Sequence, residues 1–385
     1  MNNLTAEDLV RLIRSVFPPR PGDRRLAILV DVPRRGEDDT EPWRRRRALA
    51  AEWAASLRDR SGELGLDGVD LVGYPDVGSN NADLPAEGYR VTGPLPELAK
   101  ALAVMSETIP FEKVFSESQL LFAPTEYSTT APLKVAARSH GFRAATMPGF
   151  SADMIPALRL DYDEINRRVM LLKERLDRAV WAEVKFRVDG EVADRMLFDL
   201  RQRNAHASSG RFPEPGVAGN LPSGEAYIVP FEGTEDEVST TAGTLPVQLG
   251  DELIRFTIEA NQAVAVHGDG PEAVREADHL RREPAYGNMA ELGFGVLADF
   301  GVTPIGRVLL DEKLGFHVAF GRSDHFGGKV GPGDFSGPKA VIHLDRIYIP
   351  ATQPRVAVSS LVLGYPDETT ETIMSEGQYT LFSRA

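Results

Sequence analysis

Two of the seven histidines in this sequence lie inside apolar segments. His317 lies in GFHVAFG, and His343 lies in AVIHLDRIYI, two residues before Asp345. Side chains two residues apart point to the same face of a β-strand, so His343 and Asp345 would face the same space. Because imidazole and carboxylate together suit Zn, Co, Mn or Fe(II), these residues predict a site for one metal ion or half of a site for two.

A simpler interpretation is that each histidine fills its strand and is satisfied by hydrogen bonds within the protein. However, three ionisable side chains buried unpaired on apolar strands would cost on the order of several kcal/mol of folding free energy. This cost argues against the simpler interpretation. Four of the other five histidines lie in polar or charged segments or at a strand end and are interpreted as surface residues: His140, His206, His267 and His279.

Two glutamates could complete a larger set of ligands. Glu225 lies in GNLPSGEAYIVP, where a loop meets an apolar run, and Glu291 lies in NMAELGFG, just before a Gly-rich turn. A hydrolase with two metal ions needs about five side-chain ligands, one of them a bridging carboxylate. The two acids bring the set to that number, although spacing alone does not select them.

The composition limits the classes of function. The chain has 385 residues, of which 42% are hydrophobic and 26% charged, as in ordinary folded proteins. A net charge of −14 opposes binding to nucleic acid or to anionic lipid. The one basic run, WRRRRALAAEW from Trp43 to Trp53, has a helical pattern and is interpreted as a solvated helix face.

Other classes are excluded by what the sequence lacks. With no cysteine, disulfides, thiolate nucleophiles and Cys-ligated metals are ruled out. The sequence has no signal-peptide pattern at its start and no apolar run of the length that spans a membrane, so we expect a cytoplasmic protein without a membrane partner.

The length favours two domains, which we place at residues 1–160 and 161–385. Apolar strands alternate with amphipathic helices in the first part, which predicts an α/β N-terminal domain with a mostly parallel open sheet. No GxGxxG or P-loop pattern follows its first strand. Past a long helix near Tyr162 to Ala179, strand patterns dominate and predict an α+β, β-rich metal-binding catalytic domain.

The four segments NLPSGEAYIVP, AELGFG, LLDEKLGFHVAFG and HLD resemble, in order, the motifs of the thermophilic-type leucyl aminopeptidases. The resemblance covers about the last 240 residues well and the first 140 only in general pattern. It implies a cytoplasmic homodimer whose C-terminal domain binds two divalent metal ions, Zn, Co or Mn, and removes N-terminal residues from peptides or small amides. The ligands it implies are Glu225, Glu291, His317, His343 and Asp345, with Glu291 chosen as the bridge.

The resemblance also implies metal-assisted hydrolysis in which a carboxylate carries the proton from water to the leaving amine. Glu312 is the candidate for this step, and its alternative role is a turn acid paired with Lys313 or Arg307. Several family members carry a Tyr that binds the substrate seven residues beyond the histidine of the HVAFG motif, where this chain has Asp324. The adjacent His325, or a backbone N–H of Gly327–Gly328, could donate instead.

Two other functions remain open. A ring-cleaving dioxygenase that acts on dihydroxypyridine has a similar fold and holds one Fe(II) with two His and one Asp, which His317, His343 and Asp345 would satisfy. Glu225 and Glu291 argue against it because a site with one iron does not need them. A non-catalytic dimeric scaffold would be expected to lack one or more of the five ligands, and all five are present.

Overall fold

The computed structural model describes residues 3–382. The chain forms two compact units. Unit 1 comprises the chain up to Asn166 together with Gly210–Ser223, and unit 2 comprises Arg167–Ser209 together with the chain from Gly224 onward. The two domains predicted from the sequence, residues 1–160 and 161–385, stay a prediction.

Unit 1 is built on a seven-stranded sheet. Its strands are β1 Arg25–Val32, β2 Gly68–Pro75, β3 Glu87–Val91, β4 Glu107–Pro110, β5 Leu120–Thr125, β6 Arg143–Pro148 and, numbered in chain order, β10 Ala218–Asn220. Its helices are α1 Ala6–Val16, α2 Glu41–Asp59, α3 Leu102–Met105, α4 Phe111–Glu117, α5 Thr130–His140 and α6 Ile155–Leu158. The strand order is β10-β6-β5-β1-β2-β3-β4, with β3 and β4 antiparallel to their neighbours and the other strands parallel.

Local sequence explains the first elements of unit 1. Thr5 and Asp8 form a capping box at the start of α1, in which each side chain accepts a hydrogen bond from the backbone N–H of the other at 3.1 Å. All residues of β1 after Arg25 are buried, because β1 lies between β5 and β2 and has both faces covered.

The basic run on α2 departs from its prediction as a solvated face. Arg46 and Arg47 are only 2% and 4% exposed. Arg46 Nε donates to the Phe150 carbonyl oxygen at 2.6 Å, and Arg47 binds the Asp39 carboxylate through two bonds of 2.9 and 3.0 Å. The planar guanidinium group satisfies several acceptors at once, which allows burial that the charge pattern does not indicate.

Unit 2 contains two antiparallel sheets. The strands of the five-stranded sheet are β9 His206–Ser208, β11 Glu225–Ile228, β15 Met289–Gly295, β16 Phe316–Gly321 and β17 His343–Ile347. Those of the eight-stranded sheet are β7 Trp181–Val188, β8 Glu191–Asp199, β12 Ala242–Leu249, β13 Glu252–Glu259, β14 Gln262–His267, β18 Val356–Gly364, β19 Thr370–Ser375 and β20 Gln378–Tyr379. The remaining helices of the chain are α7 Tyr162–Arg178, α8 Pro271–Arg282 and α9 Val308–Asp311.

The strand orders in unit 2 are β17-β16-β15-β11-β9 and β14-β13-β12-β8-β7-β18-β19-β20. Aromatic rings of the two sheets meet in the core: the Phe256 and Phe320 ring centroids lie 4.9 Å apart, and those of Phe186 and Phe316 lie 6.4 Å apart. This packing buries the face of the five-stranded sheet that carries Phe316 and Phe320, so His317 and Ala319, which alternate with them on β16, point to the other face.

The predicted fold class is wrong as a description of the chain. The described residues contain 20 strands in three sheets, and the chain is mostly sheet. A parallel arrangement is present only in part of the sheet of unit 1, because β3 pairs antiparallel with both β2 and β4. Among residues 3–382, no helix has the length and apolar character needed to cross a membrane.

Candidate metal centre

One face of the five-stranded sheet gathers the predicted ligands. Glu225 on β11 is paired with Gly295 on β15, Gly293 is paired with His317 on β16, and Ala319 is paired with Asp345 on β17. Directly paired residues share a face, and so do residues two apart on one strand. A register shift between Met289 and Glu291 leaves Glu291 paired with Ala319. The five predicted ligands therefore come from four adjacent strands and share one face.

These side chains form two groups of three possible ligands, and Glu291 belongs to both. One group is Glu225, Glu291 and His317, and the other is Glu291, His343 and Asp345, with ligand atoms within 4.8 Å of one another in each. Glu291 Oε1 lies 3.3 Å from His317 Nε2, and its Oε2 lies 3.2 Å from His343 Nε2. The arrangement is that of a carboxylate between two ligand groups.

Glycine makes room for His317 in the middle of this face. A Cβ atom added to Gly293 would lie 2.0 Å from His317 Nε2, which is far inside van der Waals contact. The imidazole ring therefore lies directly over the β15 backbone. The Gly-rich turn after Glu291 in the sequence is a strand segment in the structure, and its glycine serves this close approach.

Backbone carbonyls orient both histidines. His317 Nδ1 donates to the Gly315 carbonyl oxygen at 3.1 Å, and His343 Nδ1 donates to that of Arg322 at 2.8 Å. Each Nε2 atom consequently faces the carboxylates, as in the usual arrangement of metal-binding histidines.

Electrostatics couples the two histidines to Glu291. Burial lowers the pKa of His317, but the hydrogen bond and charge of Glu291 outweigh burial and raise it to about 10. The same opposing causes raise the pKa of His343 to about 9. Burial raises the pKa of Glu291, yet the two histidines hold it well below its usual range. Protons on the histidines thus balance the carboxylate charge, and a divalent cation could replace them.

Glu225 has one oxygen bound and one oxygen free. Its Oε1 accepts from Lys313 Nζ at 2.5 Å, whereas its buried Oε2 has no hydrogen-bond partner among the described residues and lies 3.6 Å from His317 Nε2. Burial raises the pKa of Glu225, and the charge of Lys313 opposes that effect. An unpaired buried carboxylate oxygen is costly, and a cation held with His317 and Glu291 would satisfy it. The residues therefore fit a metal ion.

Lys313 also pairs with Glu312, the predicted proton carrier. Burial lowers the pKa of Lys313, but the two glutamates raise it above its ordinary value, so the side chain stays charged. Burial raises the pKa of Glu312, against the opposing charge of Lys313. Glu312 lies outside both ligand groups but is coupled electrostatically to Asp345 and His317. Of the two partners expected for a turn acid, the structure places Lys313 beside it.

Asp324 and His325 lie in a loop beside His343. The Asp324 carboxylate binds Arg322 at 2.5 Å, and that bond lowers its pKa, so Asp324 can accept hydrogen bonds but not donate them. Burial and the charges of His343 and Arg322 lower the pKa of His325 to about 4. The His325 ring lies 3.9 Å from the Phe326 ring and 5.4 Å from the His343 ring, between centroids.

A nearly buried carboxylate holds this loop in place. Glu232 accepts from Ser323 Oγ at 2.5 Å, from the Lys329 backbone N–H at 2.6 Å and from Asn288 Nδ2 at 2.9 Å. It also binds Arg203, whose other nitrogen donates to a carbonyl of the loop. Glu232 thus fixes both ends of the segment that carries Asp324 and His325.

Three neighbours of the centre are absent from the sequence-based set: His206, Tyr227 and Phe326. His206, interpreted from the sequence as a surface residue in a loop, lies on β9 opposite Tyr227. The Tyr227 and Phe326 ring centroids lie 4.7 Å apart, and those of Phe326 and His343 lie 5.5 Å apart. Of these three residues, only Tyr227 could have been found from the sequence. It follows Glu225 by two residues on a strand and must share its face.

No protein-family model matches this chain, and neither does any curated protein. Solved structures similar to it include two enzymes of different organisms. The 2,5-dihydroxypyridine dioxygenase of Pseudomonas putida KT2440 aligns with a TM-score of 0.59 and 16% identity, over 98% of this chain and 96% of its own. Wild-type AmpT of Thermus thermophilus aligns with a TM-score of 0.54 and 15% identity, over 97% of this chain and 99% of its own. At such identities the likeness shows that the fold is shared.

Proposed function

We propose that this protein is a metal-dependent aminopeptidase that hydrolyses the N-terminal peptide bond of a peptide or a related small amide. The observation that carries the proposal is the position of Glu291, whose two oxygens each face a different group of ligands. A carboxylate shared in this way is what a site for two metal ions requires. The four motifs that resemble the leucyl aminopeptidases contain all five proposed ligands.

Each residue has a defined part in the proposed reaction. Glu225, Glu291 and His317 would hold one ion, and Glu291, His343 and Asp345 the other. Divalent ions such as Zn, Co or Mn, when bound, would supply Lewis-acid activation of a water and of the scissile carbonyl. The water oxygen bonds to the carbonyl carbon, the C–N bond breaks, and Glu312 carries one water proton to the leaving amine. A homodimer in the cytoplasm is part of this proposal and rests on the family resemblance.

A ring-cleaving dioxygenase is the second candidate. His317, His343 and Asp345 would hold one Fe(II), and the aromatic rings of Tyr227 and Phe326 beside them suit a flat aromatic substrate. The fold shared with 2,5-dihydroxypyridine dioxygenase is compatible with this chemistry. However, His317 is grouped with Glu225 and Glu291 and not with Asp345 within the described residues. That grouping favours the aminopeptidase.

Metal analysis of the purified protein separates the two functions. We expect about two Zn, Co or Mn ions per chain and release of the amine from a leucyl anilide. One iron per chain, with no cleavage of the anilide, would identify the dioxygenase instead.

Substitution of Glu225 tests the site directly. E225Q should lower metal content by one ion and activity at least roughly 100-fold, because the ligand with the unpaired oxygen loses its charge. The matched control is E235Q, since Glu235 is an exposed glutamate in unit 2. Full metal loading and full turnover in E225Q would remove Glu225 from the site.

A further inference from the structure

Tyr227 occupies a central position on the face that carries the proposed ligands. It follows Glu225 by two residues on β11 and is paired across the sheet with Gly293. The imidazole of His317 lies over Gly293, so the Tyr227 side chain neighbours that ring with no intervening side chain. Tyr227 therefore lies beside the ligand face at His317.

Packing on two sides restricts where the Tyr227 hydroxyl can point. The His206 ring stacks on the Tyr227 ring at 5.1 Å between centroids and 22° between planes. The Phe326 ring meets it edge-on at 4.7 Å. His206 Nε2 donates to the Phe326 carbonyl oxygen at 2.9 Å, which ties the two flanking groups together. A side chain held in this way loses little further conformational entropy when it binds a substrate.

The hydroxyl itself is available as a donor. Within residues 3–382 it forms no hydrogen bond, and Tyr227 is only partly buried. A phenol, whose ordinary pKa is about 10, keeps its proton at neutral pH and can donate it in a hydrogen bond.

The reaction needs a donor that the expected position does not supply. Hydrolysis of an amide builds negative charge on the carbonyl oxygen, and enzymes stabilise it with fixed hydrogen-bond donors. Asp324, which stands where relatives in the resembled family carry a Tyr, is paired with Arg322 and can only accept. The His325 ring is held in the loop between the Phe326 ring at 3.9 Å and the His343 ring at 5.4 Å, measured between centroids.

We infer that the Tyr227 hydroxyl donates a hydrogen bond to the carbonyl oxygen of the scissile amide as negative charge develops there. The inference rests on the proposed aminopeptidase function and adds to it a substrate-contacting residue on strand β11, whereas the sequence predicted this contact in the loop of Asp324 and His325. Tyr227 transfers no proton and acts only through this hydrogen bond. Because the bond strengthens as charge develops on the oxygen, loss of the hydroxyl should weaken binding of the tetrahedral state more than binding of the substrate.

The test compares wild-type protein with Y227F, both loaded with Zn and analysed for metal content. We expect Y227F to keep its metal, to lose roughly 10²–10³-fold in kcat for leucine p-nitroanilide and to keep KM nearly unchanged. The phosphonic acid analogue of leucine, a tetrahedral anion, should bind Y227F roughly tenfold to hundredfold more weakly in calorimetry. Y365F is the matched control, because it loses a hydroxyl bond to Glu371 in another part of unit 2.

The outcomes separate the two proposals. Wild-type turnover with an unchanged kcat and phosphonate affinity in Y227F would overturn the role of Tyr227 and leave the aminopeptidase standing. Loss of metal from Y227F would also overturn this role, since Tyr227 would then act on the metal site and not on the substrate. So would a loss of kcat and phosphonate affinity in H325Q but not in Y227F. A wild-type protein that neither cleaves the anilide nor binds the phosphonate overturns the aminopeptidase, and the role of Tyr227 with it.

Discussion

Lys313 Nζ lies 2.5 Å from Glu225 Oε1, and their side chains are 3% and 7% exposed. Lys313 also binds Glu312, so one ammonium group balances two carboxylates in the interior. Removal of one partner of a buried ion pair leaves an uncompensated charge, and the cost exceeds what the pair itself contributes.

K313M should therefore destabilise the metal-free protein by roughly 3–5 kcal/mol. Added Zn should restore part of the loss, because a bound ion would compensate Glu225, and ligand at 100 times its Kd contributes about 2.7 kcal/mol. Urea unfolding with and without Zn measures both effects. K185M is the control: Lys185 is half-exposed, with a 3.4 Å pair to Glu183, and should change stability by less than about 1 kcal/mol. Equal losses in the two variants would contradict the buried-pair account.

G293A should displace His317. The added methyl group would overlap the imidazole, and overpacking of this kind costs roughly 1–3 kcal/mol. We expect weaker Zn binding in a competition assay together with a lower midpoint of urea unfolding. G333A should leave both unchanged, since a Cβ at Gly333 meets nothing within 4 Å. Wild-type Zn affinity in G293A would show that the ring can move without loss.

E232Q should loosen the loop that carries His325. Glutamine has one carboxamide oxygen in place of the two carboxylate oxygens that bind Asn288, Ser323, Lys329 and Arg203. Hydrogen exchange at residues 322–331 should become faster, while exchange on β1 in unit 1 stays as in the wild type. E259Q, at the exposed end of β13, is the control. Unchanged exchange in the loop would show that Glu232 does not anchor it.

Asp31 should make the stability of unit 1 depend on pH. Burial raises its pKa to about 6, although the backbone N–H groups of Glu126 and Tyr127 oppose burial. The folded state thus keeps a proton that the unfolded state releases first, so stability falls as the pH rises from about 4 to about 6. At about 1.4 kcal/mol per pKa unit, the loss amounts to roughly 3 kcal/mol at neutral pH.

The substitution D31N isolates this effect, because asparagine does not titrate. The free energy of unfolding of the wild type, minus that of D31N, should decrease between pH 4 and pH 6 and then level off. A difference that is constant across this range, or that rises with pH, would contradict a raised pKa for Asp31.

Parts of the site follow from the sequence because strand geometry is local. The spacing of His343 and Asp345 requires a common face, and the same rule places Tyr227 with Glu225. The grouping of Glu291 with His317 depends on register between strands and on the shift near Met289, which no local pattern specifies. The strand that holds His206 is three residues long and exists only through its pairing with β11.

The fold was harder to predict for the same physical reason. Alternating helix and strand patterns describe the segments around β1 and β2 well, but the antiparallel return of β3 and β4 is set by tertiary pairing. Burial of Arg46 and Arg47 likewise depends on acceptors distant in sequence, the Phe150 carbonyl and the carboxylates of Glu126 and Asp39. Charge patterns indicate exposure only where such acceptors are absent.

The shared position of Glu291 also limits how this centre can be redesigned. Any substitution there alters both ligand groups at once, so an engineer cannot use it to retune one ion while keeping the other. Glu225 and Asp345 each belong to a single group within the described chain, and they are the positions at which a variant with one ion could be built. The ligands of each ion can therefore be changed separately at Glu225 or Asp345, but not at Glu291.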